Sequence, residues 1–220
     1  MRKIALVFDF DDTLAPDSTS AFLEWMGVNA QDFWKNRVDP LCSDGWDPVP
    51  AYLYSLLKLS NENEEYKITR QCLEEFGSKM KFHKGVMKIF SFLISYFAKH
   101  YPEISLEFYI ISSGIGDIIR NCRIRKFFSD IWTCDFHYNE EGWAIFPKNI
   151  VSFTDKTRYL FQISKGISRE DSKADHYAVN RRVSSNGYRI PLQNMIFVGD
   201  GLTDVPCFSV IRRHGGIAIG

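Results

Sequence analysis

The sequence predicts an α/β fold: a doubly wound parallel sheet with a small helical domain inserted after its first strand. Four continuous apolar runs of strand length lie at residues 3–8, 108–111, 195–198 and 216–219. Helical patterns separate these runs, and such alternation is typical of parallel strands that are buried on both faces. Residues 16–82, between the first two runs, are too many for a single crossover helix. They therefore predict a helical insertion.

The inserted block contains several helix signals. Asp17-Ser18 precedes the apolar stretch AFLEWMG, and Asn29 can cap AQDFWKN. Residues 48–59 begin with prolines and carry apolar residues at helical spacing. Asn61 and Glu64 form a capping-box pattern ahead of a predicted helix over 65–77. We therefore predict two domains: an α/β core formed by residues 1–15 and 83–220, and a helical cap formed by residues 16–82.

The rest of the chain completes the predicted core. Residues 84–101 form a helix that returns to the sheet, and residues 154–166 form another. Alternating residues over 130–147, with Glu141-Gly142 between them, predict a β-hairpin. Residues 167–190 are polar and lack a clear period, which indicates a surface loop.

Composition excludes several classes of function. The 220 residues contain 27 Lys+Arg and 27 Asp+Glu, and this balance disfavours a nucleic-acid partner bound by bulk electrostatics. The five cysteines include no C-x-x-C pair, so we expect buried thiols in a reducing cytoplasm. The most apolar internal run, residues 89–98, is too short to span a bilayer, and the N-terminus lacks a signal-peptide pattern. We expect a cytoplasmic protein without a membrane partner, and the sequence leaves its oligomeric state open.

Acidic residues follow two of the apolar runs. Asp9 and Asp11 come directly after the first strand, and Asp200 and Asp204 follow the third. In an open parallel sheet these carboxyl ends border one crevice, where ligands bind. Four carboxylates in one crevice raise one another's pKa values, and a divalent cation relieves that conflict. Mg²⁺ is the candidate cofactor, because it prefers carboxylates, waters and substrate phosphate.

A phosphate at this crevice also requires donors and positive charge. Ser112 and the loop after it can supply a hydroxyl and backbone N–H groups, with Ser113 as an alternative donor. Lys156 lies at the start of a predicted helix and can supply the cation, although Lys148 is a rival. An EF-hand is disfavoured because Leu14 occupies its glycine position.

These residues together resemble the haloacid dehalogenase (HAD) superfamily, whose core is a Rossmannoid sheet. The first family motif, D-x-D-x-T, matches Asp9 to Thr13, and the fourth, G-D-x-x-x-D, matches Gly199 to Asp204. The Ser of the second motif matches Ser112, and the Lys of the third matches Lys156. The four motifs occur in order and span most of the chain.

The resemblance implies a role for each residue. Asp9 would attack phosphorus, and Asp11 would protonate the leaving alcohol and then deprotonate the attacking water. Ser112 and Lys156 would stabilise the transferring phosphoryl group. The resemblance also implies phosphate binding by Thr13, Ser113 and Gly114. The implied metal ligands are Asp9, Asp11 (through its carbonyl), Asp200 and Asp204.

The resemblance also indicates a branch of the superfamily. The block at 16–82 resembles the family's C1 cap, as in phosphoserine-phosphatase-like members. Those enzymes hold the serine amine with an acid, but Ser18 occupies that position here, with Asp17 adjacent. The implied function is a Mg²⁺-dependent phosphatase that hydrolyses a small phosphorylated metabolite through an aspartyl-phosphate. The alternatives are a phosphotransferase with the same intermediate and a non-hydrolytic phospho-receiver module, which the inserted block disfavours.

Overall fold

A single sheet organises the part of the chain that the computed structural model describes, residues 2–184 and 187–220. Its strand order is β4-β3-β2-β1-β5-β6, and only the pairing of β3 with β4 is antiparallel. The strands are β1 (Arg2–Phe8), β2 (Ile104–Ile115), β3 (Phe128–Tyr138), β4 (Ala144–Asn149), β5 (Met195–Val198) and β6 (Ile217–Ile219). The predicted α/β fold class is confirmed.

Helices occupy most of the sequence between the strands. Those between β1 and β2 are α1 (Ser18–Trp25), α2 (Ala30–Phe33), a π-helical segment (Trp34–Val38), α3 (Asp39–Ser43), α4 (Pro48–Glu62), α5 (Arg70–Lys79) and α6 (Val86–His100). Those that follow are α7 (Gly116–Arg120), α8 (Asp155–Lys165), α9 (Arg169–Ala174) and α10 (Val205–Arg213). Helices α1 to α5 form the predicted inserted block. The domain boundaries at 15/16 and 82/83 stay a prediction.

The core of the sheet is an aromatic cluster under α6. The ring of Phe90 lies 5.7 Å from that of Phe8 on β1, 5.3 Å from that of Phe108 on β2 and 5.0 Å from that of Phe128 on β3. All four side chains are buried. This packing fixes the carboxyl ends of the central strands relative to one another.

Strand β2 is longer than predicted. Residues 108–111 are the apolar part of β2, but the strand runs from Ile104 to Ile115 and includes Ser112. The predicted hairpin over 130–147 is confirmed by β3 and β4. The first half of β3 also pairs in parallel with β2, which the sequence analysis missed.

The predicted start of the helix over 65–77, with a capping box at Asn61, is wrong. Helix α4 continues through Glu62, and α5 begins only after Thr69, whose hydroxyl accepts from the N–H of Cys72 at 3.1 Å. A single 3₁₀ turn, Glu64–Tyr66, lies between these helices, and the chain after it is extended because Ile68 is fully buried and its carbonyl accepts a hydrogen bond from Ala144 of β4. A tertiary contact therefore overrides the local capping signal.

The polar stretch at 167–190 is not a continuous loop. Its first part contains α9, which Ser168 caps in a capping box with Asp171. Near its end, Arg189 forms a two-point ion pair with Glu107 of β2, at 2.6 Å for each nitrogen–oxygen pair. The predicted loop also covers residues 185 and 186, which lie outside the described residues.

No helix in the described part of the chain is long and apolar enough to cross a membrane.

Gly77 allows the inserted block to approach the core closely. A Cβ at this position would lie 2.4 Å from the carbonyl oxygen of Ile118 on α7, which is backbone and cannot move easily. Ala normally stabilises an open helix position by up to about 1 kcal/mol relative to Gly. At this site we expect Gly77→Ala to destabilise the protein by about 1–3 kcal/mol in urea denaturation, because α5 must move away from α7.

Ser78→Ala is the control for this prediction, because Ser78 is exposed on the same helix. We expect it to change the free energy of unfolding by less than about 0.5 kcal/mol. A Gly77→Ala variant as stable as the wild type would show that the two helices do not approach this closely in solution.

Candidate active site

The first candidate residues stand where β1 ends against β5. The N–H of Asp9 donates to the carbonyl of Val198 at 2.8 Å, so the end of β1 is held by β5. The Oδ1 atom of Asp9 accepts from the N–H of Phe10 at 2.8 Å. Asp12 then adopts a left-handed φ of 54°, which turns the chain away from the sheet. Asp9 is 5% exposed and faces the carboxyl end of the sheet.

Lys156 forms the centre of the site. Its Nζ lies 2.9 Å from Oδ2 of Asp9 and 2.8 Å from Oδ1 of Asp204. All three side chains are buried. Lys156 belongs to the first turn of α8, which places its ammonium group under the ends of β1 and β5. Burial alone would lower the pKa of this lysine, but the two carboxylates raise it above its usual value, so the ammonium stays charged.

The carboxylates fit a divalent cation. One oxygen of each of Asp9, Asp200 and Asp204 lies within 4.8 Å of the others. Three carboxylates against one ammonium leave a formal charge of −2, which a divalent ion would neutralise. Oδ2 of Asp204 is buried and has no hydrogen-bond partner among the described residues. This unpartnered oxygen and the all-oxygen donor set suit Mg²⁺.

Two of the predicted residues lie at the edge of this cluster. Asp200 is exposed, and its Oδ1 accepts a long hydrogen bond of 3.4 Å from the hydroxyl of Thr13. Thr203, which the sequence analysis did not select, contributes a hydroxyl 3.4 Å from Nζ of Lys156. Its position inside the G-D-x-x-x-D motif was the available signal.

Ser112 and the two residues after it lie beside Asp11. The hydroxyl of Ser112 is fully buried and accepts from the N–H of Gly114 at 3.0 Å, so its own hydrogen remains free to donate. Gly114 is required by close approach, because a Cβ there would lie 2.6 Å from Oδ2 of Asp11. The hydroxyl of Ser113 is buried and has no partner among the described residues. The predicted loop after residue 111 is thus the last part of β2, and it holds two hydroxyl donors beside the acids.

A hydrogen bond from the first residue of α1 fixes the side chain of Asp11. Its Oδ1 accepts from the N–H of Ser18 at 2.7 Å. The pKa of Asp11 is raised to about 7, mainly by burial and also by the nearby charge of Asp17, against the opposing hydrogen bond from Ser18. Burial also raises the pKa of Asp9, but Lys156 opposes that shift. The two carboxyl groups are therefore held differently: Asp9 beside a cation and Asp11 beside another acid.

The inserted block closes over this site through Tyr52. Its hydroxyl donates to the carbonyl of Ser113 at 2.5 Å, and its ring lies 5.9 Å from that of Trp34. The indole N–H of Trp34 donates to Ser20 at 2.7 Å, and the hydroxyl of Ser20 donates to Asp17 at 2.5 Å. Neither Tyr52 nor Trp34 was among the residues predicted for the site. Helical spacing indicates burial but does not tell which buried residue reaches the core.

The predicted residues fall into two groups. Asp9, Lys156, Asp200 and Asp204 form one cluster, with Thr13 at its edge. Asp11, Ser112, Ser113 and Gly114 form a second cluster beside it. Lys148, the rival of Lys156, is exposed on β4.

Comparisons with solved structures identify the fold of the chain. A hydrolase from Salmonella enterica serovar Typhi, named as a HAD family member, superposes with a TM-score of 0.64 at 14% identity, over 98% of this chain and 66% of its own. A phosphoserine phosphatase, solved as a phospho-aspartyl intermediate analogue, superposes with a TM-score of 0.58 at 13% identity, over 100% of this chain and 94% of its own. The chain has the HAD fold.

Sequence comparison adds one relative. A Borreliella burgdorferi protein, described as uncharacterized, is 28% identical over 233 residues, which cover 96% of this chain and 79% of that protein. No protein-family model matches the chain. The chain spans about two thirds of the length of the Salmonella hydrolase.

Proposed function

We propose that this chain is a Mg²⁺-dependent phosphatase of the HAD type that hydrolyses a small phosphorylated metabolite through an aspartyl-phosphate. The observation that carries the proposal is the buried contact of Lys156 with both Asp9 and Asp204, with Asp200 next to them. Four residues from three separate motifs lie close together, which supports phosphoryl-transfer chemistry. Two structural neighbours, a HAD hydrolase and a phosphoserine phosphatase, support the same class.

In the first step, a carboxylate oxygen of Asp9 forms a bond to phosphorus while the bond from phosphorus to the ester oxygen breaks. Asp11 gives its proton to the leaving alkoxide, and its raised pKa favours the protonated form that this requires. Ser112 and Lys156 donate hydrogen bonds to the phosphoryl oxygens.

In the second step, Asp11 takes a proton from water, and the oxygen of that water attacks phosphorus. The bond from phosphorus to Asp9 breaks, which releases phosphate and regenerates the carboxylate. Asp9, Asp200, Asp204 and the backbone carbonyl of Asp11 would hold Mg²⁺, which neutralises phosphoryl charge and orients the phosphate when bound.

The same residues argue against phosphoserine as the substrate. Ser18 occupies the place of the acid that would hold the serine amine, and its side chain is fully buried. The neighbouring Asp17 is the N-cap of α1: its two oxygens accept from the N–H of Thr19 at 3.0 Å and from the hydroxyl of Ser20 at 2.5 Å. Both oxygens are already used within α1, which disfavours Asp17 as a replacement for the missing acid. We propose a substrate without an amine at this position.

The first test is hydrolysis of p-nitrophenyl phosphate with Mg²⁺ and with EDTA. We expect turnover with Mg²⁺ and at least about a hundredfold loss with EDTA, because an uncompensated anionic cluster repels the phosphate dianion. Zn²⁺-free buffers and re-addition of Mg²⁺ to the EDTA sample serve as controls. Activity that survives EDTA unchanged would contradict the metal requirement.

Phosphorus NMR of the products separates hydrolysis from transfer. With glycerol present, a phosphatase forms mainly inorganic phosphate, whereas a phosphotransferase forms glycerol phosphate. A receiver module would incorporate one phosphoryl group from acetyl phosphate and release none. We expect inorganic phosphate as the main product.

A further inference from the structure

Helix α6 exposes an unusual number of apolar side chains. Val86 and Phe90 face the sheet and are buried. The helix and the residue after it nevertheless expose the following large apolar side chains: Met87, Ile89, Phe92, Ile94, Tyr96 and Tyr101. Phe92 is 61% exposed, and its ring stacks on that of Tyr96 at 5.9 Å. An apolar surface of this kind marks an interaction site in a folded protein.

The charge of the same region is entirely basic. No Asp or Glu occurs between Glu75 and Glu103, or between Asp117 and Asp130, although the whole chain has a net charge of zero. The two stretches expose seven lysines and arginines: Lys79, which pairs with Glu75 at 2.5 Å, and the six residues Lys81, Lys84, Lys88, Lys99, Arg123 and Lys126. The ion pairs within the described residues involve lysines and arginines other than these six.

The two basic stretches are neighbours in the fold. The ring of Phe127 stacks on that of Phe90 of α6 at 5.2 Å. A guanidinium nitrogen of Arg123 donates to the carbonyl of Met80 at 3.3 Å. We call the exposed apolar residues and the six basic residues named above the α6 face. It combines positive charge with exposed aromatic and aliphatic groups on one side of the molecule.

The arrangement on the helix suggests what binds. Lys88, Ser91, Ser95 and Lys99 recur at i, i+3, i+7 and i+11, so they form one polar strip along α6. Val86 and Phe90 lie on the opposite side, against the sheet. The polar strip therefore points outward, and exposed apolar residues flank it. A planar anionic surface would meet the lysines first and the aromatic flanks beside them.

Other occupants fit this chemistry less well. In a two-fold contact with a second copy, the lysines of each α6 would face those of the other, and like charges repel. Nucleic acid would satisfy the lysines but would leave Met87, Ile89 and Ile94 without a suitable apolar surface. A lipid bilayer with anionic headgroups supplies both negative charge and apolar contact.

We propose that the α6 face docks the protein on an anionic lipid surface. The proposal is independent of the proposed phosphatase function, because it uses none of the site residues. It also departs from the expectation of no membrane partner, which was based on the length of an apolar run. That length decides whether a helix spans a bilayer, and not whether it binds to the bilayer surface.

Vesicle flotation tests the proposal with the full chain. We expect binding to vesicles made of equal parts of phosphatidylcholine and phosphatidylglycerol, and no binding to phosphatidylcholine alone. Binding should fall as salt rises from about 0.1 to about 1 M, where the Debye length shrinks from about 10 to about 3 Å. Lys88→Glu combined with Lys99→Glu should lower the partition coefficient at least about tenfold.

Two matched variants control for unspecific effects. Phe92→Ser should lower binding without changing charge, whereas Phe146→Ser should not, although Phe146 of β4 is as exposed, at 66%. Lys58→Glu on α4 is the corresponding control for charge. Circular dichroism and thermal unfolding establish that each variant is folded.

Two results would overturn the proposal. In one, the folded wild type binds neutral and anionic vesicles equally well, or binds neither. The other is a dimer in sedimentation velocity that Phe92→Ser dissociates, together with no vesicle binding, since this would assign the α6 face to a second copy of the chain.

Discussion

Asp9→Asn is expected to abolish hydrolysis of p-nitrophenyl phosphate, with a loss of at least about 10³-fold in kcat. The amide has nearly the same shape as the carboxylate and can still accept from the N–H of Phe10, as Asp9 does at 2.8 Å. It lacks the negative charge that attacks phosphorus and that pairs with Lys156. The measurement is steady-state turnover with Mg²⁺, followed by beryllofluoride trapping, which should label the wild type and leave the variant unlabelled.

The neighbouring Asp12→Asn is the matched control for this result. Asp12 is exposed and adopts a left-handed φ of 54°, a conformation that Asn also tolerates. The same chemical change three residues along the chain should therefore leave activity within about threefold of the wild type, as expected for an exposed substitution outside the site. Full activity of a folded Asp9→Asn variant would refute Asp9 as the nucleophile.

Lys156→Met is expected to affect both stability and turnover. It removes the ammonium group between Asp9 and Asp204, whose side chains are 7% and 0% exposed. Breaking a buried ion pair on one side typically costs about 3–5 kcal/mol, because the remaining charge is buried without compensation. We expect a loss of this size in urea denaturation, and turnover reduced at least about a hundredfold because the phosphoryl group loses its cation.

The loss of stability in this variant should depend on pH with a definite sign. Burial already raises the pKa of Asp9 to about 6 against the opposing charge of Lys156, so without the lysine Asp9 holds its proton still more tightly in the folded state than in the unfolded chain. The folded state then binds more protons, so stability falls as pH rises above about 4, where unfolded aspartates ionise. Millimolar Mg²⁺ should restore part of the stability, because it binds the folded carboxylates and not the unfolded chain.

Lys148→Met is the matched control, since Lys148 is the other lysine that the sequence offered for this role. It is exposed on β4, so both stability and turnover should stay close to the wild type. If Lys148→Met lost turnover while Lys156→Met kept it, Lys148 and not Lys156 would be the phosphate-binding lysine.

The residues that the sequence analysis placed well stand at strand ends. Asp9 and Asp200 each follow a short apolar run, and the direction of a parallel sheet brings such positions to one edge. Ser112 likewise comes directly after an apolar run, residues 108–111 of β2. These positions could be predicted because a local pattern, combined with the parallel arrangement of strands, determines where they lie.

The residues that the analysis missed depend on contacts between distant segments. Tyr52 looks like any buried position of an amphipathic helix, and only the path of the chain places its hydroxyl on Ser113. The false capping box at Asn61 failed for the same reason, because Ile68 is drawn into contact with β4. Sequence periodicity reports which residues are buried, but it carries little information about their partners.

The pairing of the central strand has a consequence for how the protein folds. β1 pairs with β2 through Arg2 and Ile104 and with β5 through Ala5 and Met195, so its two neighbours are distant in sequence. Contacts of such long range slow folding, since the intervening chain must be ordered first. During synthesis β1 leaves the ribosome long before β5 exists, so the first strand must stay unpaired on that edge. Asp9 and Asp204 therefore meet late, after the inserted helices have had time to fold.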